Sequence, residues 1–478
     1  MKVFSSILSL LALTMLCNVH AQDYWDLQRC IDYAFQNNIV VQQTRVGIDR
    51  SEINRDQSRY ELLPTFNAGA NHGYNWGQRI DPFTNQFASE RVRSNNFFVG
   101  TNVDVFNGFN RMKTMKQTEE ELAASRYDYE RILNDISMQI ALAYLQVLLN
   151  KENVKISQNQ VDITKKQSDR MKQLVDAGAE PLGSYYDLLS QQAQEELTLV
   201  NNENAVILSR LSLMQLLQLS QNEAPDFEVV TPEFDDVGIE LIANTSEDIY
   251  LRAKSSMPEV KAADSRRRAA EFALDASRGL LYPTISLSGA IGTGYSGINQ
   301  EPAGDPSFDF IPIGTVVGTG QVVQSIIPQP IIDDFRTKSF QDQMSDNFNQ
   351  NVFVNLSIPI FNGLGARSNM NRAKINQIEA DLNYSDVTNQ LRFNVEQAYA
   401  DARAALNSYM AAKKAVEALA ESFKYAEIRY QQSVINVVDY NNIKTQYTNA
   451  QSNLVNAKYD FVFRSKILDF YLGNPISF

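Results

Sequence analysis

Histidine, cysteine and tryptophan are nearly absent from this chain: 478 residues hold two of each. One histidine, His20, falls in a segment argued below to be cleaved, and the other, His72, stands alone. Catalysis built on histidine and a metal held by a His/Cys cluster need such side chains in groups, so both are excluded. Basic charge is short as well. Lys and Arg number 43 against 56 Asp and Glu, a net charge of −13, the wrong sign for a nucleic-acid partner. Long apolar runs are missing too. Past residue 21, the run 136–149 has 14 residues, fewer than the roughly 20 that a spanning helix needs. Residues 310–332 carry no charge, but Gly314, Gly318, Gly320, Pro328 and Pro330 interrupt them. Such a chain enters a membrane only as strands. Its 44% apolar and 21% charged residues exclude disorder.

At the N-terminus, Lys2 precedes an apolar run over residues 3–16, and Val19-His20-Ala21 makes a small-x-small cleavage site. This is the pattern of a secretory signal peptide over residues 1–21. The run is too short for a membrane anchor, and Leu16 before Cys17 argues against lipid attachment there. Cleavage leaves Cys30 without an intrachain disulfide partner. It is expected to be a buried small apolar residue in a helix that opens at Tyr24. Losing Lys2 takes the net charge from −13 to −14.

The chain repeats itself. Phe106-Asn107-Gly108 recurs as Phe361-Asn362-Gly363, 255 residues on. The same offset pairs Tyr129 with Tyr384, Ala143-Tyr144 with Ala398-Tyr399, and Leu199-Val200-Asn201 with Leu454-Val455-Asn456. Upstream, Ser58-Arg59 and Leu62-x-Pro64-Thr65 match Ser277-Arg278 and Leu281-x-Pro283-Thr284 at an offset of 219. The difference, 36 residues, is extra sequence in the second copy, around residues 299–336. The first copy spans 22–245, with strands at about 65–106 and a turn at about 177–183. The second spans 246–478, with strands and an external loop at about 284–361 and a turn at about 432–438.

Within each copy the pattern is helix, strands, long helix, turn, helix. Residues 24–61 and 246–281 are helix-like and stop before proline. From 109 to about 176, and from 364 to about 432, there is no proline, and apolar positions such as Tyr129, Ile132, Leu133, Ile136, Ile140 and Tyr144 recur at helical spacing. Helices of nearly 70 residues run to about 100 Å. The last helix shows Tyr440, Ile443, Tyr447, Ala450, Leu454, Ala457 and Phe461 at alternating spacings of three and four, a coiled-coil seam.

Between helices the period changes to two. Val99, Thr101, Val103 and Val105 share one face; Gly100, Asn102 and Asp104 share the other. In the second copy Ile285, Leu287, Gly289 and Ile291 alternate with Ser286, Ser288, Ala290 and Gly292. Val352, Val354, Leu356, Ile358 and Ile360 alternate with Phe353, Asn355, Ser357 and Pro359. This alternation fits lipid-facing barrel strands and a half-buried soluble sheet equally well. In a membrane, four strands cannot close a barrel, and an open edge in lipid is prohibitive, so several protomers would have to share one.

Two tandem helix–hairpin–helix–helix copies, each with a Leu-x-Pro strand start and a Phe-Asn-Gly strand-to-helix junction, resemble the TolC family of outer-membrane efflux proteins. The resemblance covers essentially the whole mature chain. It implies a mainly α fold, a long α-helical barrel of coiled-coil hairpins continuous with a four-strand contribution to a trimeric transmembrane β-barrel. It also implies a homotrimer in the outer membrane of a Gram-negative bacterium, reaching into the periplasm. In such a system a periplasmic adaptor (membrane fusion protein) and an inner-membrane pump dock below a passive exit duct, with no cofactor and no catalytic residue. The lipid-facing candidates are then Val99, Val103, Val105, Ile285, Leu287, Ile291, Val354, Leu356 and Ile358. The adaptor-contacting turn carries a glycine and an apolar residue in the family. Gly178-Ala179 matches; Ser433-Val434 keeps the apolar residue and loses the glycine. Gly178 is equally a helix C-cap. The family's pore constriction uses a tyrosine, an arginine and two acids near the second turn. Tyr430 matches the tyrosine and Asp439 the first acid, while Ile435 replaces the arginine and Asn442 the second acid. Asp439 in three copies would make a cation-favouring carboxylate ring; a carboxylate at a helix N-terminus explains it equally.

Other motifs carry no chemistry. Gly363-x-Gly365 after a strand lacks the third glycine of a dinucleotide fingerprint, Ser368 standing there. Asp235-Asp236, Asp333-Asp334 and Glu119–Glu121 read as solvated acids, and Arg266-Arg267-Arg268 as a salt-bridged helix surface. The rival architecture is a periplasmic coiled-coil adaptor or scaffold without a barrel, which leaves the duplicated strands unexplained.

Overall fold

A computed structural model describes residues 24–89, 91–220, 227–231, 244–332, 334–432 and 434–475. The signal segment, Asp235, Asp236, Asp333 and Ser433 lie outside the described residues. In chain order the helices are α1 (Leu27–Asn37), α2 (Ile39–Tyr60), α3 (Asn110–Asp176), α4 (Leu182–Leu217), α5 (Ser246–Ser256), α6 (Pro258–Gly279), α7 (Phe340–Asp346), α8 (Gly365–Gln431) and α9 (Val437–Tyr471). The principal strands are β2 (Thr65–Asn75), β5 (Val92–Asn107), β7 (Thr284–Ser296) and β14 (Asn349–Ser357). Short ones are β1 (Tyr24–Trp25), β3 (Arg79–Ile80), β4 (Phe87–Ala88), β6 (Glu228–Val229) and six in the second copy's insertion, β8–β13, from Gln300 to Thr337.

The chain divides into two compact units that cut across the repeat. One comprises Met1–Ile53, Glu119–Ala269 and Gln377–Phe478; the other comprises Asn54–Thr118 and Ala270–Asn376. Each copy contributes to both.

The strand unit holds a four-stranded antiparallel sheet in the order β14-β7-β5-β2. The duplication is written into its register. Thr65 faces Asn102 in the first hairpin, and Thr284 faces Ser357 in the second, which are the same two positions moved by 219 and 255. Residues opposite one another share a face. One face therefore carries Phe66, Ala68, Phe97, Val99, Val103, Ile285, Leu287, Ile291, Val352, Val354 and Leu356. The other carries Asn67, Asn71, Asn96, Asn102, Ser286, Ser288, Asn351 and Asn355, broken by Phe98 and Phe353. Its one carboxylate on the four long strands, Asp104, pairs with Arg111 at 2.7 Å.

Two strand expectations need correction. The register shifts between Asp104 and Phe106, so Val105 sits in a bulge and Phe106 takes the place opposite Ile285. A bulge re-aims the strand as it leaves the sheet. In the second copy pairing stops at Ser357, which leaves Ile358 past the end of β14. Pro359 lacks the N–H that a further ladder bond would need. The insertion forms an antiparallel ribbon: β8 (Gln300–Pro302) pairs with β13 (Phe335–Thr337), β9 (Ser307–Asp309) with β12 (Gln329–Ile331) and β10 (Pro312–Thr315) with β11 (Val322–Gln324).

In the helical unit the expected first helix of each copy is broken, at Asn38 and at Met257. These positions are again 219 apart. Pro258 forces the second break, because the residue before proline leaves the α region. Asn38 makes the first with its side chain, donating to the Leu216 carbonyl (3.0 Å) and accepting from Val40 N–H (2.9 Å). Tyr24 does not open a helix: Tyr24–Trp25 pairs parallel with Glu228–Val229, and Asp26 caps α1. Two cores follow the repeat. One contains Cys30, Ile31, Ala34, Ile136, Ile140 and Leu213. The other contains their counterparts Ile249, Tyr250, Ala253, Leu391, Val395 and Leu468. Cys30 occupies a core position, and burial pushes its thiol up to about 12. Tyr144 donates to the Val230 carbonyl at 2.7 Å, tying α3 to the segment after β6.

Contrary to the expectation from run length, α3 includes an 18-residue window with mean hydropathy 1.4, the length and composition of a membrane span. Its Ile136, Ile140, Tyr144 and Leu148 are buried in the first core. Arg266 pairs with Asp128, and Arg268 with Glu120 (3.1 Å), as read from the sequence.

Candidate functional site at the hairpin turns

The long helices fold into two hairpins, α3–α4 and α8–α9. The first turn is a Schellman cap. Gly178 has φ +74°; its N–H bonds the Val175 carbonyl (2.9 Å), and Ala179 N–H bonds the Leu174 carbonyl (2.8 Å). Val434 N–H makes the corresponding bond to the Arg429 carbonyl (2.8 Å) in the second turn. There Asn436 caps α9, accepting from Asp439 N–H at 2.8 Å.

Between the two turns lies a cavity of about 800 Å³, lined among others by Arg170, Glu180, Glu427, Tyr430, Ile435 and Tyr440. Tyr430 stacks on Tyr440 with ring centroids 4.7 Å apart. Tyr440 Oη accepts from Gln167 Nε2 (2.8 Å), which links the hairpins. Burial, then the charge of Glu180, raises the Tyr430 hydroxyl. Burial, then Glu427, pushes Tyr440 up to about 12.

The four constriction candidates therefore separate. Tyr430 and Ile435 line the cleft between hairpins, while Asp439 and Asn442 are exposed. Three residues apart, the last two lie on one side of α9. The cleft does hold cations, but they come from α3: Lys166 and Arg170. Sequence comparison around the second turn could not find them, because they belong to the other copy.

A second group escaped the sequence reading. Lys444, 1% exposed, reaches from α9 into the first hairpin. Its ammonium donates to Thr164 Oγ1 and lies 3.4 Å from Glu195 Oε1. Burial lowers its pKa, and Glu195 opposes the shift. The predicted seam named Ile443; the structure buries Lys444 instead, with Tyr440, Ala450 and Phe461 as expected. Gln160, which bonds Glu195 (3.0 Å) and accepts from Thr448 (2.6 Å), completes the network.

The outer membrane efflux protein family model matches residues 30–218 and 249–474, the two copies in turn. The chain belongs to this family. It is 23% identical over 450 residues to the outer membrane protein TolC of Escherichia coli K12, covering 91% of this chain and 81% of that protein. Its fold is that of the Campylobacter jejuni CmeC outer membrane channel (TM-score 0.74, 16% identity, 95% and 87% of the two chains). It is likewise that of the outer membrane protein VceC of Vibrio cholerae (TM-score 0.73, 16% identity, 94% and 97%). The protein is thus an outer-membrane efflux duct of a Gram-negative bacterium.

Proposed function

We propose that three copies assemble into one passive duct. Each gives four strands to a twelve-stranded barrel, apolar face toward lipid and amide-rich face toward the lumen. The observation that carries this is the sheet itself: one face apolar across all four strands, with β2 and β14 each paired on one side only among the described residues. In lipid those edges need partners, and a ring of three sheets supplies them. The lipid-facing assignment includes Val99, Val103, Ile285, Leu287, Ile291, Val354 and Leu356; Val105 in its bulge and Ile358 past the strand end lie at the rim.

The hairpins form the periplasmic wall, closed at the turns. Asp439 and Asn442, exposed on one side of α9, are the pore-side residues. Tyr430 and Ile435 form the seam between hairpins that must part for opening. Gly178-Ala179 and Ser433-Val434 are the contact points for a periplasmic adaptor, below which an inner-membrane pump delivers cargo. The duct performs no reaction. The test uses full-length protein in planar bilayers. Wild type should run as a trimer by native mass and form cation-preferring channels, and Asp439→Ala should move the reversal potential toward zero. A soluble monomer without conductance would sink the duct; an unchanged reversal potential would remove Asp439 from the pore.

A further inference from the structure

At the strand ends away from the Phe-Asn-Gly junctions, the sheet's apolar face changes character. His72, Asn95 and Tyr295 form one row, and Tyr74 and Arg93 the next. The Arg93 guanidinium lies 4.6 Å from the centroid of the Tyr295 ring, and Arg91 lies 5.2 Å from that of Tyr74. Trp76, 72% exposed, packs beside Tyr74 at 6.2 Å. From Val103 to Arg93 is ten residues along β5. At ~3.4 Å each and a ~40° tilt that is about 25 Å, the height of the lipid-facing band of an outer-membrane barrel. Tyr74 and Trp76 thus stand where interfacial aromatics belong, with Arg91 and Arg93 beside them; Tyr295, buried against Phe340 (ring centroids 5.6 Å apart), backs Arg93 from inside.

Neither arginine forms an ion pair with a described carboxylate. The acids nearby are spent elsewhere. Asp81, fully buried, accepts from Phe83 N–H, Thr84 N–H and Ser296 Oγ, and Asp346 pairs with Lys338. Glu90, next to Arg91 in sequence, falls outside the described residues. Aromatic faces hold both guanidiniums, which lowers the ordering cost of binding, and guanidinium matches phosphate oxygens bidentately.

We propose that Arg91 and Arg93, positioned by Tyr74 and Tyr295, bind the phosphate of a phosphorylated outer-leaflet lipid. This rests on the reading of that face as lipid-facing. The occupant's acyl chains lie on the exposed Val99 and Ile291 farther down the same face, which a free phosphate would leave uncovered.

The test reconstitutes full-length protein in phosphatidylcholine vesicles doped with lipid A, either phosphorylated or dephosphorylated, and counts co-extracted lipid by native mass spectrometry. Wild type should retain the phosphorylated form roughly tenfold better, equivalent to about 1.4 kcal/mol. Arg91→Gln/Arg93→Gln should bring the ratio to about one with assembly mass and thermal midpoint unchanged. Equal retention by wild type, or full discrimination by the double variant, overturns the site. Displacement of the lipid by millimolar inorganic phosphate overturns its assignment to lipid. A bimane label on Val99→Cys checks the underlying reading separately: no quenching by brominated acyl chains sinks the lipid-facing assignment itself. Quenching without phosphate discrimination sinks only the site.

Discussion

The first Phe-Asn-Gly junction is closed from within the chain. Gly108 (φ +63°) lies against the backbone of Gly279; a Cβ on Gly108 would overlap the Gly279 carbonyl, and one on Gly279 would sit 2.7 Å from the Gly108 oxygen. At the second junction Gly363 has the same backbone conformation, φ +64°, and no described residue within 4 Å of its Cβ position. The sheet repeats the difference: β5 pairs with β7, while the equivalent edges β14 and β2 have no such neighbour among the described residues. In the proposed trimer, the next protomer does for copy two what copy two does for copy one inside a protomer. Quasi-equivalent sites differ because one of each pair is satisfied in cis.

The largest expected effect tests this directly. Gly108→Ala combines left-handed strain with overpacking and should cost about 2–4 kcal/mol, preventing detergent-resistant assembly. Gly363→Ala should leave the protomer's circular dichroism intact yet lower the thermal midpoint of the trimer similarly. A loss near the ~1 kcal/mol of backbone strain alone would show that no neighbour packs there.

Lys444 is the next contrast, since its counterpart 255 residues earlier is Leu189. Importing the copy-one residue, Lys444→Leu, strands Glu195 and should destabilise the helical unit by about 3 kcal/mol in chemical unfolding. Lys444→Leu/Glu195→Leu should recover most of it; no recovery would mean that packing, not charge, sets the cost.

A cross-link sharpens the sheet comparison. Asn96 faces Gly294 within the protomer. In the proposed trimer the same offsets predict Asn351 opposite Asn75 of a neighbouring protomer. Asn351→Cys/Asn75→Cys should give oxidised ladders ending at the trimer, and monomers alone would disprove that seam.

The smallest effect is in pH. Tyr440 and Tyr459 are pushed up to about 12 from 10.0, chiefly by burial. A raised folded pKa means the fold favours the protonated phenol. Its stabilisation is complete below the unfolded value and is lost as pH climbs from about 10 to about 12. The thermal midpoint should fall across that window, less steeply in Tyr440→Phe.

Much of this architecture was legible because duplication doubles every weak signal. Phe-Asn-Gly, Leu-x-Pro and period-two alternation located the sheet, and two constant offsets carried its register. Pro258 marks the break at Met257, although residues 246–281 read as one helix; nothing marks the break at Asn38, because asparagine interrupts a helix only when its side chain finds a backbone partner, here Leu216. Val105 looked like any apolar strand residue, and the bulge that displaces it depends on pairing across the sheet. At the turns, Gly178 and Tyr430 could be placed by position. Arg170 could not, since it meets Tyr430 only after two hairpins from different copies have packed. Lys444 was hidden for the opposite reason: a lysine on an apolar seam looks solvated until Thr164 and Glu195 close around it.

The amide-rich face of the sheet has one more consequence. With Asp104 tied to Arg111, this face of the four described strands, turned to the lumen in the proposed barrel, offers a passing molecule side-chain amides, hydroxyls, small residues and two benzyl rings per protomer. Amides and hydroxyls solvate positive and negative groups alike, and hold neither for long. A surface without a preferred sign gives cargo no resting place in the last stretch of its journey. Friction there is set by width and by Phe98 and Phe353 rather than by charge, so the membrane-spanning part of the duct is built for indifference.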